Sequence, residues 1–69
     1  MQARYRPGRE AEDHARKVVR THYPDATSQY THAGARVYDP GTDRTLGEAS
    51  SGDWGVEWAW QHAAQQNLR

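Results

Sequence analysis

The 69-residue chain predicts an α+β fold. It reads as a single small domain over residues 1–69, of order α-β-β-β-α, with a three-stranded antiparallel sheet and two helices packed on one of its faces. Three observations predict this. Apolar residues recur at helical spacing towards both ends of the chain, and three short runs of β-forming residues, divided by turn signals, lie between them. The composition, finally, supplies enough apolar surface for one core only. Aliphatic side chains are few: Val18, Val19, Val37, Leu46, Val56 and Leu68 with Met1, no Ile, Phe or Cys, and a mean hydropathy of -1.19. Aromatic residues must therefore carry much of a core that in so short a chain yields only about 3–5 kcal/mol of net stability.

Met1 to Arg6 alternates weakly, Ala3 and Tyr5 against Gln2, Arg4 and Arg6, so residues 1–7 read as a flexible arm or a short edge strand. Pro7-Gly8 punctuates. Ala11, Ala15, Val18, Val19 and His22 then recur on one stripe until Pro24 forbids continuation, which predicts a first helix from Gly8 to His22. Its other side pairs Glu12 with Arg16 and Asp13 with Lys17 at i,i+4, acid first. Thr27 to His32 is the first predicted strand, with Ala33-Gly34 as its turn, and Ala35 to Asp39 is the second. Asp39-Pro40-Gly41-Thr42 suits a type II turn into a third strand, Arg44 to Ala49. With Val37 and Leu46 inward, alternation turns Ser28, Tyr30 and His32 towards the helices and Arg36 and Tyr38 away.

The last helix is the organising element, since residues 50–68 hold all three tryptophans. Ser50, with Asp53 three residues on, resembles a capping box and predicts a start near Gly52. Val56, Ala59, Trp60 and Ala63 form the core stripe, placing Trp60 at the centre of the domain. Trp54, Trp58, Gln61 and Gln65 gather on the opposite side, flanked by Glu57 and His62.

Nine basic and nine acidic residues cancel, which argues against the basic footprint of a nucleic-acid binder. The distribution is uneven: residues 1–36 carry seven basic and four acidic side chains, and residues 37–69 two and five. Without cysteine there is no disulfide frame and no thiolate chemistry. No apolar run approaches a membrane span of roughly 20 residues, so the sequence predicts a soluble, cytoplasmic protein. His14, His22, His32 and His62 show no metal-ligand spacing, no Gly-rich phosphate loop is present, and Ser50 and Ser51 lack a nucleophile elbow. The expectation is a non-enzyme with neither metal nor cofactor.

Leu46-Gly47-Glu48-Ala49-Ser50-Ser51 leads into the last helix, Ala59 is followed by Ala63-Ala64, and Leu68 closes it. With the element order, this resembles the double-stranded-RNA-binding-domain fold. Members that bind duplex RNA place a Lys-Lys-x-Ala-Lys cluster at the start of this helix, where this chain has Asp53, Trp54, Glu57 and Trp58. Carboxylates repel phosphates, so the resemblance implies the fold without its usual ligand. The order also looks like that of HicA-type RNase toxins, in which a strand histidine acts on RNA; His32 is the residue in a comparable place, without the family's Gly-Ser-His surroundings.

Two binding surfaces follow from the residues. Trp54 and Trp58, rimmed by Asp53, Glu57 and Gln61 and joined by Asp39 and Asp43, form an aromatic and acidic patch suited to a basic protein partner. Arg16, Lys17 and Arg20 of the first helix, with Arg36 and Tyr38 of the open sheet face, form the alternative, a nucleic-acid surface. The first predicts a small non-catalytic protein-binding module, monomeric or homodimeric. Small cysteine-free chains of this kind resemble phage-encoded host-takeover proteins, anti-CRISPR inhibitors among them. That resemblance implies an inhibitor covering a host nucleic-acid-binding complex or ribonucleoprotein in the host cytoplasm.

Overall fold

A computed structural model describes residues 8–50 and 55–67. The elements follow in the expected order: α1 (Arg9–His22), β1 (Thr27–Thr31), β2 (Gly34–Asp39), β3 (Arg44–Ser50) and α2 (Val56–Asn67). The strands form one antiparallel sheet in the order β1-β2-β3, and the helices pack on one face of it. α2 lies against β3 and β2, while α1 packs along α2. Residues 1–7, read from the sequence as an arm or edge strand, lie outside the described residues.

α1 begins where the Gly8 carbonyl accepts the Glu12 amide at 3.0 Å, with Glu10 and Glu12 in the first turn and Arg20 and His22 in the last, each at the favourable end of the helix dipole. Ahead of Pro24, the Tyr23 amide closes the helix on the Val19 carbonyl at 2.8 Å. Ala15 and Val19 are buried, with Ala11 and Val18 half-buried beside them. His22, expected on this stripe, is exposed. It sits in the final turn, where the chain leaves the core for the Tyr23–Ala26 turn.

The β1–β2 loop is the two residues His32-Ala33, so His32 lies in a turn and not on a strand, and Gly34 opens β2. Gly34 has φ +140°, and a Cβ there would fall on the Ala49 carbonyl oxygen and 3.0 Å from the Ser50 carbonyl carbon. Only glycine fits so close to β3. The second hairpin turns where expected, the Thr42 amide reaching the Asp39 carbonyl at 3.1 Å. It is not a type II turn. Positive φ falls on Asp43 (58°) and not on Gly41, the pattern of a four-residue loop built on a type I turn.

The core is Ala15, Val19, Ala26, Ala35, Val37, Leu46, Ala49, Ala59, Trp60 and Ala63. Trp60, 1% exposed, sits at its centre as the pattern predicts. A register shift between Val37 and Tyr38 lets two successive β3 residues, Leu46 and Gly47, both turn inward. Gly47 meets the backbone of α2. A Cβ there would lie 2.7 Å from the Ala59 carbonyl oxygen and closer still to the Ala63 amide nitrogen.

α2 starts later than its capping-box signature implies. Ser50 is paired with Gly34 as the last residue of β3, the helix begins at Val56, and Gly55, at φ +70°, offers the carbonyl that the Ala59 amide reaches at 3.0 Å. Asp53 and Ser51 lie outside the described residues. Tyr30 is the other departure. Its register opposite buried Ala35 puts it on the helix side of the sheet as expected, yet it is 76% exposed, with its ring edge beside Gly55 just ahead of α2.

Candidate binding surface at the seam of α2 and β3

α2 runs antiparallel to β3, so that residues one helical turn apart meet successive places along the strand. Ala59 and Ala63 settle on Gly47, and this close approach brings His62 over the edge of β3. Its Nδ1 donates to the Glu48 carbonyl at 2.6 Å. A carbonyl only accepts, so the proton is on Nδ1 and the ring orientation is fixed. Trp58, one turn earlier, is half-buried and packed against the core, and its ring tilts 49° to that of His62 with centroids 5.5 Å apart. Beside this pair an open groove is lined by Thr45, Leu46, Glu48, His62 and Gln66, with Gly47 at its floor. Glu48 is its one charged lining residue.

The remaining members of the predicted acidic patch fall in different places. Glu57 and Gln61 are half-buried on the flank of α2 turned away from β3, and Glu57 Oε1 is enclosed with no hydrogen-bond partner among the described residues. Asp53 and Trp54 lie outside the described residues. Asp39 and Asp43 stand at the β2–β3 turn, the end of the sheet that faces the last turn of α2, whereas Glu57 is in its first turn. Asp39 is also occupied: Oδ1 accepts the Gly41 amide at 3.3 Å and Oδ2 the Thr42 hydroxyl at 3.2 Å. The structure thus keeps Trp58 with His62 and separates the turn aspartates from them.

The alternative basic surface divides in two. Arg16 and Arg20 lean over buried Trp60, their guanidinium carbons 5.7 and 5.5 Å from its ring centroid. Arg16 also pairs with Glu12 at 2.5 Å and Asp13 at 3.6 Å, and Arg20 Nε donates to the Ala26 carbonyl at 3.3 Å. Both arginines serve as the lid of the core. Lys17 joins them in a shallow groove shared with Asp13 and Thr21. Arg36 and Tyr38 lie across the sheet, opposite Glu48 and Thr45 on the face that no described helix covers.

The sequence pattern places His62 only as a flank of the tryptophan side, whereas in the fold it holds the seam. Its spacing of four from Trp58 was the available signal. The contact with Glu48 had none, being 14 residues away and dependent on how α2 lies on Gly47. Among the described residues no three His, Cys, Asp or Glu side chains converge as a metal site would require, and no helix is long and apolar enough to cross a membrane. Comparison with known proteins returns no match: no family model fits the chain, and no curated protein or solved structure is significantly similar to it.

Proposed function

We propose that this chain is a non-catalytic protein-binding module that docks on a larger partner through the outward side of α2 and its seam with β3. The observation that supports this reading is the division between two tryptophans. Trp60 fills the core, while Trp58 stays half-exposed against a histidine whose ring is tied to the backbone. An aromatic held rigid beside an open groove forfeits little side-chain entropy on binding, which is what an interface anchor needs. Glu48 and Glu57, with Asp53 preceding the helix, give the surroundings an acidic cast. A basic partner surface suits it, including one that itself binds nucleic acid, and covering such a surface would make the module an inhibitor.

Capture from a bacterial lysate tests this. Gln61→Lys with Gln65→Lys adds two positive charges to the outward side at a half-buried and an exposed position, and Trp58→Ala removes the anchor; circular dichroism confirms that each variant folds. Proteins retained by the wild type should be lost with both variants. Retention unchanged in the folded variants contradicts the reading, as does capture of salt-sensitive RNA or DNA in place of protein.

A further inference from the structure

We propose that the outer edge of β1 pairs with β1 of a second copy, joining two sheets into one continuous six-stranded sheet. This goes beyond the docking reading and uses a different part of the molecule. The ladder itself shows which backbone groups are available. Because the Glu48 carbonyl points at His62, it points away from β2, so Arg36 and Glu48 form a non-hydrogen-bonded pair. Arg36 then directs its N–H and C=O to β1, and its partner Gln29 directs its own to β2. By alternation the backbone groups of Ser28 and Tyr30 face outward. Nothing among the described residues covers them, and Thr27 through Tyr30 are all exposed.

Edges of this kind are ordinarily blunted with lysine, proline, a bulge or a covering element. Among the described residues β1 has none of these. Its five residues, Thr27-Ser28-Gln29-Tyr30-Thr31, are uncharged, and its register with β2 is regular. A two-fold axis at Gln29 sets Ser28 opposite Tyr30 of the second copy and Tyr30 opposite its Ser28, so the outward groups of both strands are matched and each pair exchanges both its hydrogen bonds. No like charges meet in this register. The Tyr30 rings, 76% exposed in the single chain, become diagonal neighbours within reach of one another across the axis. A second copy therefore complements this edge in hydrogen bonding and in its exposed aromatic, with no like charges opposed.

Sedimentation equilibrium over a wide range of concentration reads the result. The wild type should move from 7.9 kDa towards twice that mass as concentration rises. Gln29→Glu faces Arg36 within its own chain, which keeps the hairpin, but meets itself across the axis and should weaken the dimer roughly two- to five-fold. Gln29→Lys should weaken it likewise, and an equimolar mixture of the two variants should restore association. Ser28→Pro removes an outward N–H without touching the β1–β2 ladder and should abolish the dimer while circular dichroism stays native. A wild type that remains at 7.9 kDa throughout overturns the proposal. So does a dimer indifferent to these substitutions, which would place the contact elsewhere.

Discussion

Gly47 and Trp60 set the geometry of the core from its two sides. Gly47 lets the α2 backbone touch β3, and Trp60 fills the space between α2 and α1 beneath two arginines. Burying an indole removes roughly 150–250 Å² from water, about 4–6 kcal/mol at 25 cal/mol/Å², which is as large as the net stability of a domain this size. Gly47→Ala has no room and should cost about 3 kcal/mol by denaturant unfolding, enough to unfold much of the population. Gly8→Ala, where a Cβ meets nothing within 4 Å, is the control and should leave the midpoint nearly unchanged. Arg16→Ala and Arg20→Ala should each cost about 1 kcal/mol, reflecting the stacking on Trp60 more than the ion pairs of Arg16 with part-buried Glu12 and exposed Asp13.

At the scale of elements, the start of α2 depends on Gly55. Its φ of +70° disfavours any residue with a Cβ, and an added Cβ would also press on Tyr30 Cε1 at 3.4 Å. Gly55→Ala should therefore cost about 1 kcal/mol and reduce the protection of the Ala59 amide in hydrogen exchange, since that amide is bonded to the Gly55 carbonyl. The same element shows what the sequence makes legible. α1, the three strands and the core stripe Ala59, Trp60 and Ala63 are written in local periodicity and turn residues, and they stand where the pattern puts them. The capping signature at Ser50 misplaces the helix start because strand pairing with Gly34 claims that residue first. Parity likewise gives the side on which Tyr30 lies but not its exposure, which depends on how far a helix extends over an edge strand. Of the candidate site, the spacing of Trp58 and His62 is legible and the bond from His62 to β3 is not.

For the whole molecule, one sheet face is packed under two helices and the other is covered by no element among the described residues, with Gln29, Arg36 and Glu48 side by side across it. Opposite charges meet there, so the face is self-compensating and lacks the single sign that phosphate binding would need. The proposed docking surface accordingly lies where the helix layer meets solvent, at the seam that holds Trp58. The most direct test is an NMR titration with a soluble, uncharged paramagnetic agent, reading the ring signals of each tryptophan. Trp58 should broaden together with exposed Tyr30, while Trp60, Val19 and Val37 remain sharp. If Trp58 is shielded as fully as Trp60, the seam offers no aromatic anchor and the docking account is contradicted.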